Sequence, residues 1–543
     1  MPGSLVALWL LLTHLTANFV QAQIPPPPAS CGTGTGFAWL EGREVRAPIY
    51  NTGSLFARDN GSPLAYTDAE GRPLLFAASL WIGAQFDGFL FMAATMLEPP
   101  EFWPGPLDEK GLSPADCSPY DRIFGITKSD ILEYDRAGVV TDNLRDWPAW
   151  AGAPVVDADG NPDNYNLAAG DRPALLGDRM LWWVMNDRAG THGASQAIPI
   201  QVQVEATAFA YDLPGVLGRS TFYRYRIKRT GIFPFIQAHV ALFVRTALGN
   251  QEDDYVGADT SLSMGFVYNA DDFDEGVFGP SPPAVGVGIL RGSGLDLADD
   301  PGPRSLDPRR MTSFLGYRDL CDLCNPYPDG PGVGFYNMMQ GRWPWGAPVT
   351  FGERGLARDG EPSPFMYTGE PGEYWSEANV DGAGEGHQPG FRKMVVATGP
   401  YTLVPGAESE VVFAIVTSQG ADHLDSVRQL KDDMAFVRSR TTEILAPIEP
   451  GQSVVPSSQL AVSKPWPNPA DQQAWLHVSV PAATQTRVEL FDLLGRRVEV
   501  ASGLLEEGGH LIEIKTGHLT AGIYGYRVYT GRFLTSGTLV VGH

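Results

Sequence analysis

From Ile198 to Gly249 the chain shows its clearest pattern of apolar and polar positions. The run IPIQVQVEATAFAY alternates between the two, as a half-buried strand does. STFYRYRIKRTG and IQAHVALFVRTALG continue the alternation. Three such runs at short spacing predict an antiparallel sandwich. A second β region, FRKMVVATGPYTLVPGAESEVVFAIVTSQG, predicts two strands joined by a turn at Pro405-Gly406. The period then changes. Leu424, Val427, Leu430, Met434 and Val437 recur at three and four residues and predict one amphipathic helix. Asp422 stands at its start and Arg438 and Arg440 near its end, as the helix dipole prefers. A helix packed on the sandwich is the reading; a cofactor role is not.

The stretch LLFAASLWIGAQFDGFLFMAATML, Leu74 to Leu97, is long enough to span a membrane as a helix. Asp87-Gly88 near its middle is a hairpin signal, so two buried strands are expected instead. Residues 293–400 are loop-rich, with many Gly, Pro and aromatic residues. Ala446 to Gln473 is rich in Pro, Ser and Gln and reads as a linker. Beyond it AWLHVSV, TRVELFD, HLIEIKT, GIYGYRVYT and GTLVV are strand-like runs separated by Gly-containing turns. Leu476, Val478, Val480, Val488, Leu490, Ile512 and Ile514 are the expected inward positions of a small second sandwich.

Composition supports a turn-rich β protein: 62 Gly and 45 Pro in 543 residues argue against a mostly helical chain. The formal charge is −24, and it is unevenly spread. Residues 451–543 carry seven basic and seven acidic side chains, and residues 1–22 carry none. The charge therefore sits in residues 23–450. Such a body repels nucleic acid and anionic lipid, so neither is expected as a partner. It suits divalent cations or plain solubility, and solubility is the favoured reading.

The N-terminus has an apolar core, Leu5 to Leu12, followed by Val20-Gln21-Ala22. This predicts a secretory signal peptide over residues 1–22 and no transmembrane segment in the mature chain. The n-region lacks Lys and Arg, a departure from the usual pattern. QIPPPPAS before Cys31 is not a lipobox. Export permits disulfides. Cys321 and Cys324, in CDLC, are expected to pair locally, and Cys31 with Cys117 is the second candidate pair. One C-x-x-C is too few ligands for a zinc site, and no βαβ context supports a redox role.

The order of short motifs in the tail is more specific than its strands. WPNPA precedes the first strand, then come VELFDLLGRRV, GGHLIEI, LTAGIYGYRVYTG and TLVV. From Trp466 to His543 this resembles the type A C-terminal sorting domain of the type IX secretion system of Bacteroidota and related Gram-negative bacteria. The resemblance implies an immunoglobulin-like β-sandwich, delivery by the type IX machinery through the periplasm, and release or attachment at the outer surface. It also implies that Pro467, Asn468, Pro469, Asp492, Gly495, Arg496, Gly522 and Tyr524 belong to the sorting signal. Trp466 stands where the family usually has Tyr, Ala470 where it has Phe, and the chain closes on Gly542-His543 rather than near a Lys. In the body SLWIGAQFDG, FWPGPLD, DDYVGADT, VYNADD and FYNMMQGRW resemble segments of large exported proteins of unassigned function, which brings no activity.

The expected organisation is a signal peptide at 1–22 and a β-rich acidic body at 23–445 with a candidate split near 295–310. A linker at 446–465 and a sorting domain at 466–543 complete it. The fold class is mainly β: a sandwich-containing body with one C-terminal packing helix, and a small C-terminal sandwich.

Candidate chemistry in the body is sparse. No G-x-S-x-G elbow, H-E-x-x-H, P-loop or dinucleotide fingerprint is present. Asp157, Asp159, Asn161 and Asp163 in DADGNPDNY offer oxygens at alternate positions, a candidate structural calcium loop. Asx turns that hold the backbone are the competing reading. Asp253, Asp254 and Asp259 form a second candidate cluster, which converges with Asp271, Asp272 or Asp274 if the intervening strands pair. LRDWPAW, EFWPGPLD, LWWVMND and GRWPWG carry seven tryptophans in or near loops. Exposed, they form a platform for a surface glycan; packed under loops, they are core. The favoured function is a non-enzymatic exported protein with a structural or binding role. The alternative is an extracellular glycan hydrolase with two carboxylates, which only geometry can select among 63 acidic residues.

Overall fold

The computed structural model describes residues 31–57, 64–231, 233–292, 309–318, 332–448, 461–462, 465, 468–480, 484–492, 496–505, 508–530 and 533–542. The expected signal peptide, most of the expected linker, most of the 295–310 segment, Cys321, Cys324, Pro467 and Gly495 lie outside them.

The chain is mainly β. Two nine-stranded antiparallel sheets make up the body. The first runs, from one edge, Phe37–Glu41, Val45–Tyr50, Ser54–Leu55, Pro73–Phe86, Phe235–Thr246, Arg392–Leu403, Ser313–Arg318. The second runs Asp254–Asp259, Met264–Asn269, Ala284–Arg291, Glu408–Ser418, Ser220–Arg229, Val202–Ala210, Arg179–Asn186, Trp103–Pro104. Alternation along the strands makes the layers. Val411, Phe413 and Ile415 point into the core between the sheets with Leu242, Val244 and Val396. Val412, Ala414 and Val416 point the other way, into a second core. That outer face is covered by the helix His423–Ser439 through Val427, Leu430, Met434 and Val437. Asp422 caps the helix by accepting from the Asp425 N–H at 2.6 Å. Leu424, expected on the buried stripe, is instead 41 % exposed, and the buried positions of the helix begin at Ser426. Pro73–Phe86 and Phe89–Ala93 form the expected hairpin, with Asp87 and Gly88 at φ 49° and 79° in the turn that hairpins favour. Among the described residues no helix is long and apolar enough to cross a membrane.

The strand runs that look like successive hairpins in the sequence change sheets. Val202–Ala210 pairs with Ser220–Arg229, but Phe235–Thr246 belongs to the opposite sheet. Arg392–Leu403 and Glu408–Ser418 likewise divide between the two sheets. The two crossovers are stitched where the Gly406 N–H donates to the Arg229 carbonyl at 2.9 Å. Arg229 itself is buried, donates to Ile200 and Phe233 carbonyls, and stacks 3.8 Å over Phe235.

His239 lies buried in the first sheet, edge-on to Tyr336 at 5.4 Å. Burial pushes its imidazole down from 6.5 to about 4, and the Gln237 carbonyl opposes this only in part. Below pH 6.5 the unfolded chain takes up a proton that the folded chain refuses, so stability falls as the pH drops from 6.5 towards 4. The loss from this group should approach about 3 kcal/mol near pH 4. Denaturant midpoints of wild type and His239→Gln, compared at pH 7 and pH 4.5, check it; equal acid sensitivity in both would refute it.

The tail forms a three-stranded sheet, Ala461–Val462, Gln473–Val480, Gly508–Lys515, and a four-stranded sheet, Arg497–Leu505, Thr484–Phe491, Gly522–Thr530, Phe533–Val541. Leu476, Val478, Val480, Val488, Leu490 and Ile514 are buried between them, with Ile512 partly so.

Candidate functional site

Between the strands Phe124–Thr127 and Arg179–Asn186 the chain makes a long excursion over the second sheet. It opens with the helix Lys128–Ala137, capped by Thr127 and Asp130 in a reciprocal capping box. Leu144 and Trp147 anchor it in the outer core. Trp147 donates its indole N–H to the Pro154 carbonyl at 3.2 Å, and Tyr165 its hydroxyl to the Leu144 carbonyl at 2.9 Å. These anchors frame a cleft of about 480 Å³ lined by Arg145, Trp147, Trp150, Asp157, Asp163 and Tyr165 among others. Trp150 is 63 % exposed at this cleft, with the Tyr120 ring tilted against it at 5.3 Å between ring centres.

The acidic loop forms one wall. Asp157 accepts from the Gly160 and Asn161 N–H groups at 2.7 and 3.2 Å, and Asp159 from the Asn161 N–H at 2.9 Å. Asn161 accepts from the Asp163 N–H at 3.3 Å. Asp157 and Asp159 do approach a third carboxylate, and all three place an oxygen within 4.8 Å of one another. That third group is Asp171 rather than Asp163. It is buried and accepts from the Ala158 and Asn166 N–H groups at 3.0 and 2.7 Å, which hold its pKa below the ordinary value. The oxygens of this loop are largely spent on its own backbone, which is the Asx-turn arrangement.

The second acidic stretch divides. Asp259 accepts from Ser261 and Leu262 and faces Lys431 at 3.4 Å. Burial would raise its pKa, but these partners outweigh it and lower it. It stands at the opposite end of its strand from Asp254, so it does not join the cluster. Asp272 pairs with His423 at 2.5 Å and lies beside Asp422. Asp271 accepts from the Phe273 N–H of its own turn, at 2.9 Å. Asp274 is the residue that comes close to Asp253. Burial, then Asp274 and Glu275, push the Asp253 carboxyl up to about 7. Asp254 is fully buried, and burial drives it well above the usual range.

Sequence reading missed a buried polar group in the body. Glu101 accepts from the Ala94 N–H, the Ser195 N–H and the Ser195 hydroxyl at 2.8, 2.6 and 2.7 Å. His192 lies 3.4 Å from Glu101 and turns both ring nitrogens to the Met92 and Asp187 carbonyls. Serine, histidine and carboxylate meet here, but the hydroxyl bonds the carboxylate, not the imidazole, and all three are buried. This is a clamp on loops, not a nucleophile with its base.

Most of the tryptophans are core. Trp103, Trp147, Trp182, Trp183 and Trp343 are buried, and Trp182 and Trp183 lie in a strand rather than a loop. Trp150 and Trp345 are the exposed pair among the seven, at 63 % and 42 %.

In the tail, several residues expected to belong to the sorting signal make structural contacts. Asn468 accepts from the Val540 N–H at 2.8 Å, and the Ala470 N–H donates to the Val540 carbonyl at 2.8 Å, which ties the opening segment to the last strand. Arg496 donates to Asp492 at 2.7 Å across the turn, and Tyr524 to the Thr520 carbonyl at 2.8 Å. Gly522 opens a strand whose register with Val541 closes the sheet.

The tail is thus a small two-sheet β unit with its own core. Residues 464–542 are a secretion system C-terminal sorting domain of the type IX kind. The domain marks the chain for export to the cell surface or the medium and for contact with the secretion machinery. No match was found among curated proteins. Solved structures aligned with the chain include a polysaccharide lyase at 9 % identity and a TM-score of 0.23, over 94 % of this chain and 47 % of that one. Dimeric latent PorU from Porphyromonas gingivalis aligns at 10 % identity and a TM-score of 0.15, over 67 % of this chain and 31 % of that one. The chain thus spans about half and about a third of those proteins, and neither likeness is close enough to carry an argument.

Proposed function

We propose that the exported body is a non-enzymatic binding protein for a surface or extracellular carbohydrate, taken up in the cleft at Trp150. The observation that carries this reading is the exposure of Trp150. A large apolar ring left 63 % exposed beside Asp157, Asp163 and Arg145 offers a flat face to a sugar and polar groups to its hydroxyls. The hydrolase reading draws on Asp157 and Asp163 lining the same cleft. Asp157 is engaged with its own loop, which favours binding over catalysis.

The test is a panel of neutral and acidic polysaccharides titrated into the full chain. Trp150→Ala should weaken binding at least tenfold, about 1.4 kcal/mol, with the melting temperature unchanged. Binding undisturbed by Trp150→Ala, or none at millimolar sugar, would refute the site. Release of reducing ends that Asp163→Asn abolishes would establish the hydrolase instead.

A further inference from the structure

We propose that the Trp150 cleft selects its glycan by charge, taking neutral and amino sugars and rejecting uronates, with Asp163 as the selecting residue. The selection rests on the carbohydrate reading of that cleft and names the chemical class of its ligand. Among the described residues that line the cleft, Arg145 is the one cation, and Asp157 and Asp163 are the carboxylates. Arg145 is already committed. Its Nη2 donates to Asp142 at 2.6 Å and its Nε to Asp146 at 3.2 Å, and both partners raise its pKa. Two carboxylates on one guanidinium leave no net positive charge to hold an anion.

The cleft carboxylates stand differently. Asp157 spends Oδ1 on the Gly160 and Asn161 N–H groups. Its Oδ2 and both oxygens of Asp163 accept from no group among the described residues, and both side chains are exposed. These oxygens can accept from the hydroxyls of a sugar or from an ammonium group. A uronate brings them only its own negative charge. The wall behind is anionic as well: Asp157, Asp159 and Asp171 each place an oxygen within 4.8 Å of the others. The Asn166 and Ala158 N–H groups hold Asp171 below the ordinary carboxylate range, so it keeps its charge in mild acid, where sugar amines are protonated. The exposed Trp150 ring favours the same class, because its face is electron-rich and attracts a cation. A site discriminates best where the wrong ligand meets an unpaired like charge, and this cleft offers a uronate nothing else.

The probes are a glucose, a glucosamine and a glucuronate oligomer of one linkage and length. Each is titrated calorimetrically into the full chain in mild acid at low salt. The glucose and glucosamine oligomers should bind, glucosamine at least as tightly as glucose, and glucuronate at least tenfold more weakly than either. High salt should narrow the gap between glucosamine and glucuronate severalfold. Asp163→Asn should narrow it likewise, and Asp163→Lys should reverse the order. Thermal melts show that each variant is folded; if Asp163→Lys is not, the near-isosteric Asp163→Asn carries the test. Glucuronate bound as tightly as glucose would overturn the selection and leave the carbohydrate site standing. A gap unchanged in Asp163→Asn would also overturn it. Binding of none of the three at millimolar concentration would bring down the carbohydrate reading and the selection with it.

Discussion

Glu377→Ala should destabilise the body by about 3–5 kcal/mol, because it leaves a buried guanidinium without its counter-charge. Arg392 is 0 % exposed and Glu377 1 %. The guanidinium spans both Glu377 oxygens at 3.0 Å and sends its other N–H groups to the Gly390 and Gln388 carbonyls at 2.8 Å. Glu377 also accepts from the Val256 N–H at 2.7 Å and from His387 at 3.0 Å. Burial alone would raise this carboxyl; Arg392 and His387 outweigh it and hold it below the ordinary value. Its contribution is therefore complete above the unfolded glutamate pKa and is lost as the pH falls through the lower folded value. The double change Glu377→Leu with Arg392→Met should cost less than Glu377→Ala alone, since it removes both charges together. Chemical denaturation of the three variants decides this. A loss under about 1 kcal/mol for Glu377→Ala would show that the pair is not what holds the 372–392 loops to the sheet.

The second large effect lies at the other end of the body. Cys31 and Cys117 are disulfide-bonded, 86 residues apart. Closing a loop of that length in the unfolded chain corresponds to about 4.6 kcal/mol in the chain-entropy view. Cys117→Ser should lower stability by that amount, and reductant should do the same to wild type. Asp121 clamps the same segment by accepting from the Thr35 and Gly36 N–H groups and the Asn51 amide at 2.6, 3.0 and 3.0 Å. The local structure should therefore survive while global stability falls. A variant as stable as the oxidised wild type would refute the prediction. A remaining effect of reductant on Cys117→Ser would report on Cys321 and Cys324.

The parts legible in the sequence were those with a local cause. Alternation marked the strands from 198 to 249, an Asp-Gly pair marked a hairpin, and apolar spacing marked the helix. The tail was legible because several motifs occur in one order; in the structure Asn468 ties the opening segment to the last strand, while Asp492 and Tyr524 make contacts local to their own turn and strand. Alternation says which face a residue occupies but not which sheet its strand joins, so the crossovers after Arg229 and Leu403 were invisible. Composition could not separate Trp150 from the tryptophans that are core. Asp171 lies eight residues beyond Asp163, behind Gly170 in a left-handed turn, and only that glycine hinted at a loop closing there. The Glu377–Arg392 pair joins loop to strand with no periodic pattern.

The sheet order has a consequence for assembly. Glu408–Ser418 lies between Ser220–Arg229 and Ala284–Arg291, and Arg392–Leu403 between Phe235–Thr246 and Ser313–Arg318. The last strands of the body to be synthesised are the keystones of both sheets. Until they arrive, each sheet keeps a raw edge where they belong, able to pair with the wrong strand. A chain interrupted before residue 392 leaves the second sheet open at its middle and Ser313–Arg318 unattached to the first, whereas one that extends into the sorting domain already contains both keystones. The delivery label thus comes only after the pieces that let its cargo close.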